Sequence, residues 1–543
     1  MDGLHLKLLE QLAVTPELEA VARVFLPDAH QFSSREPIQS WASLGAAVAA
    51  GALFVLALQP YSILPLALIA FALLAVLVRG ASSFFAFGLG YFFGLGQFVP
   101  GLFWITESFQ VEADRFGWLA LPAVFGLSAL LSVFPAIACA LTARIERAGL
   151  PLALSMATSW TAMEWLRGHV LTGFPWNLAA YTLSDWPVAA QASSVVGSYG
   201  LGFLLVLCAA LAGLALVSAE YGKRIGRLAT AGAIALSTAG FGAVRLLLAD
   251  VPSEGGAQIR VVQPNIAQSA KWDDAARNAN ILKLIALSAR PGEFDILLWP
   301  ETAWPGFLAE DAGARAMLGW LLPETGVLLT GSPEREETGA GTVYRNAVLA
   351  ISPDGTILTR YAKHHLVPFG EYIPWRNLLP LQRLVQSLGD FTPGPGPRTL
   401  AFGPHPYAGI AICYEIIFPG HVVDDAIRPD WIFNATNDAW FGASIGPWQH
   451  LASARMRAVE EGLPLVRAAN TGISAVVDAY GATLAMLDID TSGVIDIRLP
   501  RPLPATIYAR IGDWALLILI LTSWAISGYW ARRQQANLKS ASS

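Results

Sequence analysis

A long stretch near the start of the chain is almost free of charge, and this constrains the fold more than any other feature. Between Glu36 and Glu107 the one charged residue is Arg79. A helix needs about 20 mostly apolar residues to cross the hydrocarbon core of a bilayer, and this stretch contains several such segments. Only 14% of the 543 residues are charged, whereas roughly 25% is usual in soluble domains. The sequence therefore predicts a protein that is partly embedded in a membrane.

Further apolar segments of this kind follow up to about residue 250. The longest part of the chain without such segments begins there. Seven spans are predicted before that residue and an eighth near the end, at 41–58, 62–78, 84–105, 118–141, 152–166, 195–217, 228–248 and 514–530. The chain is thus predicted to begin with an N-terminal segment at 1–40 and a seven-span membrane domain at 41–249. An inserted catalytic domain follows at 250–512, then an eighth span at 513–531 and a tail at 532–543.

The basic residues predict the orientation of these spans. Lys and Arg concentrate in short cytoplasmic loops, and here they fall in alternate loops, at Arg79, Arg144, Arg147, Lys223, Arg224, Arg227, Arg532, Arg533 and Lys539. An even number of spans then places both termini in the cytoplasm. We expect the inserted domain on the opposite side of the inner membrane, which is the periplasm in a bacterium with two membranes.

Net charge and cysteine content exclude two further classes of protein. The formal charge of −6 offers no basic surface for a nucleic acid. Three cysteines are too few for a disulfide-built scaffold. Cys139 and Cys208 fall within predicted spans, so Cys413 has no predicted disulfide partner in the inserted domain.

The inserted region alternates short apolar runs with turns and amphipathic stretches, which is typical of an α/β domain. Seven strands are predicted, at 259–263, 295–299, 326–331, 347–352, 409–413, 431–435 and 474–478. Amphipathic helices are predicted at 271–289 and 448–461, and Pro353-Asp354-Gly355 is typical of a turn.

Polar side chains that could perform chemistry follow several of these strands. Glu301 follows the second, Cys413 ends the fifth, and Lys363 and Glu371 lie eight residues apart between them. Taken singly, each has an ordinary structural explanation, because a free Cys is most often buried in a core and a Glu or Lys is most often at the surface. No metal site is predicted at His364-His365, because adjacent strand residues point to opposite faces.

In combination, Glu301, Lys363 and Cys413 resemble the catalytic triad of the nitrilase superfamily. Four strings extend the resemblance to the membrane-embedded apolipoprotein N-acyltransferases: KHHLVPFGEYIP at 363–374, NDAWFG at 437–442, IGPWQH at 445–450, and EWLRGHVLTGFPW at 164–176. The resemblance covers almost the whole chain except residues 1–40. It implies a polytopic α-helical membrane domain of about eight spans with an inserted nitrilase-like α/β domain, a four-layer αββα sandwich.

The resemblance also implies roles for individual residues. Cys413 would be the nucleophile and Glu301 its general base. Lys363 and the backbone N–H of Tyr414 would stabilise the oxyanion, and Glu371 would orient Lys363. Substrate-binding roles are implied for Glu415, Trp440, Phe369 and Trp176.

The implied reaction is a two-step acyl transfer without a cofactor. Cys413 would take an acyl chain from a membrane phospholipid and pass it to the α-amino group of the lipid-modified cysteine of an apolipoprotein. No glycine-rich phosphate loop lies in a strand-to-helix context.

Alternatives remain open at this point. Water could replace the amine, as in a membrane-tethered amidohydrolase, or the chain could be a polytopic scaffold or transporter with an inactive domain. Glu164 and Arg167 could serve the reaction or only hold helices together. A mobile lid is expected near 369–388, where Pro, Gly and Trp375 interrupt regular structure.

Overall fold

The computed structural model describes residues 40–145, 149–249, 256–271, 274–339, 341–374, 390–424 and 426–542. The predicted N-terminal segment, apart from its last residue, lies outside these ranges. Most of the predicted lid, from residue 375 to 388, also lies outside them.

The first half of the described chain is helical. Its α-helices are α1 Trp41–Val55, α2 Leu64–Val78, α3 Ser83–Gly101, α4 Ile105–Gln110, α5 Ala113–Phe116, α6 Ala120–Leu131, α7 Val133–Ile145, α8 Gly149–His169, α9 Pro187–Ala190, α10 Ser193–Leu216 and α11 Tyr221–Leu247. Short 3-10 helices occupy Gly117–Leu119 and Ala179–Leu183.

Four helical stretches in the described chain are long and apolar enough to cross a membrane: Ser83–Gly101, Ala113–Arg144, Ser193–Leu216 and Tyr221–Leu247. Three shorter apolar helices, Trp41–Val55, Leu64–Val78 and Trp514–Ser527, coincide with other predicted spans. The span predicted over 118–141 is not one helix, because α6 ends at Leu131 and α7 begins at Val133. Between them the Ser132 hydroxyl donates to the Ser128 carbonyl at 2.6 Å, a bond that bends helices.

Small residues let the apolar helices approach closely. A Cβ on Gly51 of α1 would lie 2.0 Å from the Phe93 carbonyl oxygen of α3. Such contacts replace hydrophobic burial as the basis of helix packing in lipid. Beside this crossing the Trp160 ring of α8 meets Phe71 and Phe93 edge-on, with ring centroids 4.8 and 5.4 Å apart.

The described residues of the inserted region form twelve strands in two six-stranded sheets. The strands are β1 Gln258–Gln263, β2 Ile296–Leu298, β3 Val327–Thr338, β4 Gly341–Ile351, β5 Ile357–Ala362, β6 Thr399–Leu400, β7 Ala408–Ile412, β8 Trp431–Thr436, β9 Leu465–Ala469, β10 Ser474–Val477, β11 Thr483–Leu487 and β12 Gly493–Arg498. One sheet has the order β12-β1-β2-β3-β4-β5 and the other β11-β10-β9-β8-β7-β6.

The sheets have parallel centres and antiparallel edges. Strands β1, β2 and β3 are parallel in the first sheet, and β7, β8 and β9 are parallel in the second. The predicted turn at Pro353-Asp354-Gly355 joins β4 to β5, and the Gly355 N–H donates to the Ser352 carbonyl.

Helices cover the outer face of each sheet. They are α12 Gln268–Lys271, α13 Asp274–Ser288, α14 Ala312–Gly319 and α15 Gly446–Glu461, followed by α16 Ile507–Ile511 and α17 Trp514–Ser542. The helix predicted over 271–289 corresponds to α13.

Three apolar cores define the layers of this region. Ile259 and Val261 of the first sheet face Ile410 and Phe433 of the second across the central core. Helices α13 and α14 pack on the outside of the first sheet, and α15 packs on the outside of the second. This arrangement is the expected αββα sandwich.

Buried charges join the sandwich to the membrane helices. Arg457 and Glu460 of α15 form an ion pair with Nε and Oε2 2.7 Å apart, and neither side chain is exposed. Ser198 of α10 bridges them: its hydroxyl accepts from Arg457 Nη2 at 2.8 Å and its N–H donates to Glu460 Oε1 at 2.7 Å. The two parts of the chain therefore share one polar network.

Candidate active site

Three strand ends bring the predicted catalytic residues together. Glu301 follows β2, Lys363 follows β5 and Cys413 follows β7. All three are buried, with Lys363 only 1% exposed. The charges of Glu301 and Lys363 both act on the Cys413 thiol.

Lys363 lies between two carboxylates. Its Nζ is 2.9 Å from Glu371 Oε2 and 3.6 Å from Glu301 Oε1. Burial alone would lower the pKa of Lys363, but the carboxylates of Glu371 and then Glu301 outweigh it and raise the pKa well above its ordinary value. The ammonium is therefore a permanent cation at neutral pH.

Asn346 of β4, which the sequence did not reveal, fixes both carboxylates. Its Nδ2 donates to Glu301 Oε1 at 2.7 Å and to Glu371 Oε1 at 2.9 Å. Its backbone carbonyl accepts from the Lys363 N–H at 2.8 Å. The sequence feature that could have pointed to Asn346 is its polar amide side chain within an otherwise apolar strand.

Cys413 begins a 3-10 helix, Cys413–Ile417, with a left-handed φ of 50°. Few residues other than glycine adopt this conformation, and those that do often sit at functional sites. Burial and then the Glu301 charge raise the pKa of the Cys413 thiol to about 12, although the Lys363 charge opposes the rise. The resting thiol is therefore protonated and needs a base.

A buried histidine holds the backbone of the nucleophile. His450 Nε2 lies 3.1 Å from the Cys413 carbonyl oxygen, and Arg467 Nη2 lies 3.0 Å from His450 Nδ1. Burial and then the Arg467 charge lower the pKa of His450. His450 Nδ1 also lies 3.0 Å from Asp438 Oδ1, and Arg467 Nη2 donates to Asp438 Oδ2 at 2.5 Å, so contacts at both nitrogens hold the ring in place.

Glu415, for which the sequence predicts a substrate-binding role, lies inside the protein two residues after Cys413. Its side chain is 1% exposed. Its Oε1 accepts from the N–H groups of His364 and His365 at 2.7 and 3.1 Å. Its Oε2 accepts from Ile412 N at 2.7 Å and the Tyr361 hydroxyl at 2.9 Å. Glu415 therefore clamps the Lys363 turn to the end of β7.

Trp176, for which a substrate-binding role is also predicted, lies inside the protein as well. It is 1% exposed, and its Nε1 donates to Gln449 Oε1 of α15 at 2.7 Å. Its ring packs against Trp104 and Phe441, with centroids 4.9 and 6.0 Å apart. Trp176 thus joins the membrane helices to the sandwich.

The charged residues of the membrane motif support the turn that contains Trp176. Arg167 Nη1 donates to the carbonyls of Phe174 and Trp176 at 2.6 and 2.8 Å. Glu164 Oε1 accepts from the Ala179 N–H at 2.9 Å and lies 3.9 Å from Arg167 Nη2. These contacts favour the structural alternative for the pair.

The other predicted residues lie around the nucleophile turn. The Tyr414 hydroxyl donates to the Gly173 carbonyl at 2.8 Å, and the Trp440 carbonyl accepts from Ser108 of α4 at 2.8 Å. Phe369 is 39% exposed and has a left-handed φ of 62°. Tyr414 and Trp440 therefore contact the membrane part of the chain, whereas the ring of Phe369 is exposed to solvent.

A cavity of about 480 Å³ opens between α8 and the turn after Lys363. Leu171 and Thr172 line it from the membrane part, and His365, Tyr372 and Phe418 line it from the sandwich. Aromatic and apolar side chains thus predominate where the two parts of the chain meet. Among the described residues no cluster of three or more His, Cys, Asp or Glu could hold a metal ion.

Two six-stranded sheets, with a glutamate, a lysine and a cysteine after their strands and a second glutamate paired with the lysine, define a protein of the carbon–nitrogen hydrolase class. The carbon-nitrogen hydrolase family model matches residues 258–506, and the model of the apolipoprotein N-acyltransferase N-terminal domain matches residues 50–211. The chain belongs to the apolipoprotein N-acyltransferase family.

Relatives cover both parts of the chain. An apolipoprotein N-acyltransferase of Bradyrhizobium diazoefficiens is 44% identical over 88% of this chain and 93% of the relative. One from Rhodopseudomonas palustris is 40% identical over 88% of this chain and 94% of the relative. Among solved structures, an amidase from Nesterenkonia sp. AN1 is 20% identical, with a TM-score of 0.35, and covers 49% of this chain and 98% of its own.

Proposed function

We propose that this protein is an apolipoprotein N-acyltransferase that moves a fatty acyl chain from a membrane phospholipid to the α-amino group of the diacylglyceryl-cysteine of an apolipoprotein. The observation that carries the proposal is the buried group of Cys413, Glu301, Lys363 and Glu371 in a chain 44% identical to a protein of that name. The triad alone would also serve an amidohydrolase.

In the first half-reaction Cys413 Sγ attacks the ester carbonyl of the phospholipid while Glu301 takes the thiol proton. The raised pKa of Cys413 requires this transfer, because the free thiol does not ionise at neutral pH. The carbon–oxygen bond then breaks, and protonated Glu301 returns the proton to the leaving oxygen of the lysophospholipid. Cys413 is left as a thioester.

In the second half-reaction the amine of the acceptor attacks the thioester carbonyl. Glu301 accepts the amine proton, the carbon–sulfur bond breaks, and the proton passes to the Cys413 sulfur. An amide and a free thiol result. A thioester is more reactive than the amide product, so no cofactor is needed to drive this step.

Both tetrahedral intermediates have an oxyanion near Lys363. The Lys363 ammonium is fixed by Glu371 and remains charged, as its raised pKa requires. The N–H of Tyr414 is available for a second bond, because the first N–H groups of a helix have no partner within it. Removing one such donor costs about 10² to 10³ in rate.

The membrane part supplies access for lipid substrates. Each buried CH2 contributes about 0.8 kcal/mol in an apolar phase, so extracting a long acyl chain into water would be costly. The cavity between α8 and the Lys363 turn is lined from both parts of the chain. We assign it to the passage of substrate. The substrate-binding roles of Phe369 and Trp440 remain proposals that rest on the family resemblance.

The site is proposed to face the periplasm, with eight spans in the inner membrane and the domain boundaries at 41–249, 250–512 and 513–531. The alternating basic loops support this orientation. A membrane-impermeant thiol reagent should label a cysteine introduced at exposed Trp320 in intact spheroplasts. Labelling only after lysis would contradict the orientation.

The function is tested by mass spectrometry of the purified full-length protein after incubation with phospholipid alone. We expect one acyl-chain mass on the Cys413 peptide, removed by hydroxylamine and by a diacylglyceryl-cysteine peptide, and only slowly by water. Cys413→Ser and Glu301→Gln should abolish the hydroxylamine-sensitive adduct. The matched control Cys208→Ser removes a free cysteine of α10 and should behave as wild type. Fast release by water without transfer to the peptide would establish the amidohydrolase instead.

A further inference from the structure

A second buried lysine lies beside the catalytic group and has no part in the reaction described above. Lys271 ends the short helix α12 and is 6% exposed. Its Nζ donates to the backbone carbonyl of Glu301 at 3.0 Å. Its charge also acts on the side chain of Glu301 and on Cys413. It is thus within electrostatic range of both the nucleophile and the base.

The carbonyl that Lys271 binds belongs to an unusual stretch of backbone. The next residue, Thr302, has a left-handed φ of 49°. Such a conformation is an outlier for a β-branched residue and persists only when surrounding contacts enforce it. The bond from Lys271 fixes the peptide that joins Glu301 to Thr302. It therefore helps determine where the Glu301 carboxylate points.

The charges of the site favour a second cation. Glu301 and Glu371 are two carboxylates, and Lys363 is the one ammonium between them. Proton transfer from Cys413 to Glu301 leaves this excess of one negative charge unchanged. An unbalanced buried charge is costly, and the Lys271 ammonium balances it.

We propose that Lys271 is a positioning residue for the Cys413–Glu301 pair: its ammonium fixes the Glu301 peptide and balances the negative charge against which the Cys413 thiolate forms. The role in acyl transfer rests on the proposed function. The effect on the reactivity of Cys413 does not, because it concerns only the thiol and its immediate neighbours.

The ionisation of Lys271 gives the role a measurable signature. Burial lowers the pKa of Lys271 to about 8, although Glu301 and Cys413 oppose the decrease. These two are the titratable groups that act on it in the described part of the chain, and Lys363 and Glu371 in turn face Glu301. The ammonium is present below about pH 8 and is lost above it. Acylation of Cys413 should therefore decline as the pH rises through this value.

The test uses the full-length protein in detergent and two readouts. One is the rate of Cys413 alkylation by iodoacetamide at pH 7, and the other is the rate of Cys413 acylation by phospholipid between pH 6 and 9.5. The variants are Lys271→Met, which removes bond and charge, Lys271→Gln, which retains a donor without charge, and Lys271→Arg, which retains the charge at all these pH values. Thermal unfolding of each variant confirms that it is folded.

Lys283→Met is the matched control. Lys283 also donates to a backbone carbonyl, that of Asn265 at 3.2 Å, but it is at the surface of the sandwich. We expect it to match wild type in both readouts.

Lys271→Met and Lys271→Gln should both slow alkylation and acylation at pH 7 by about tenfold or more, since a neighbouring opposite charge shifts a pKa by about 1–3. Lys271→Arg should retain most of the rate and lose the decline near pH 8. A wild-type rate in Lys271→Met or in Lys271→Gln would overturn the proposal. If wild type is never acylated but Lys271→Met still slows alkylation, the proposed function fails and the role of Lys271 stands.

Discussion

Replacing Glu415 by glutamine should loosen the turn that places Lys363, although the substitution changes only one oxygen to an NH2 group. The carboxylate accepts four hydrogen bonds, three of them from the backbone N–H groups of His364, His365 and Ile412. A glutamine can present one oxygen to the two histidine N–H groups. Its NH2 group then faces the N–H of Ile412, where two donors oppose each other.

The magnitude follows from those contacts. One hydrogen bond to a charged group is lost, at about 1.5–3 kcal/mol, and a buried N–H is left unsatisfied, at about 1–3 kcal/mol. The Tyr361 hydroxyl can rotate and adds little. Together these give a loss of about 2.5–6 kcal/mol, which corresponds to a decrease of about 5–24 °C in the melting temperature of a domain of this size.

Tryptophan fluorescence during heating in detergent measures the melting temperature, and Cys413 acylation measures the alignment of Lys363. Glu310→Gln is the control, because Glu310 pairs with Arg335 on the exposed surface and should not alter either readout. Hydrogen bonds outweigh burial and lower the pKa of Glu415, so its stabilising effect is present above its unfolded pKa and is lost as the pH falls below about 4.5. The variant should therefore approach wild type in acid. Equal melting temperatures at pH 7, with normal acylation, would refute the clamp.

Two further substitutions test the surroundings of the site. A Cβ at Gly331 would lie 2.3 Å from the Thr302 nitrogen and 2.6 Å from the Glu301 Cα. Gly331→Ala should therefore displace Glu301 and reduce the acylation rate of Cys413 by at least about tenfold. Gly306→Ala is the control and should leave the rate unchanged, because its Cβ would lie 3.7 Å from the nearest atom. Trp176→Phe removes the bond to Gln449 and should cost about 1–3 kcal/mol of stability, seen as a lower melting temperature without loss of the Cys413 adduct. An unchanged rate in the first variant or an unchanged melting temperature in the second would contradict the packing described above.

The positions of Glu301 and Cys413 after strands could be predicted from sequence because the local apolar pattern suffices for them, whereas their catalytic roles rest on the family resemblance. Glu301 and Cys413 directly follow apolar runs, and the structure places β2 and β7 there. The contribution of Asn346 could not be predicted, because it depends on register: Ala347 pairs with Ala362, which puts Asn346 beside Lys363. Strand pairing is a long-range property that no window of sequence reveals.

Strands with mixed or short patterns were also missed. β5, β6, β9, β11 and β12 lie outside the seven predicted strands, and most of them are edge strands, where one side faces solvent and the apolar signal is weak. β9 is central, but the buried Arg467 interrupts its apolar pattern.

The shared network of Arg457, Glu460 and Ser198 limits how this protein can be dissected. Excising residues 250–512 would leave an arginine and a glutamate of α15 without Ser198, on a face shaped to meet helices. A soluble fragment made by deletion would therefore expose an apolar surface and an Arg457–Glu460 ion pair that has lost its Ser198 partner. Studies of isolated chemistry need the whole chain in detergent or lipid, and chimaeras between relatives should exchange α10 and α15 together.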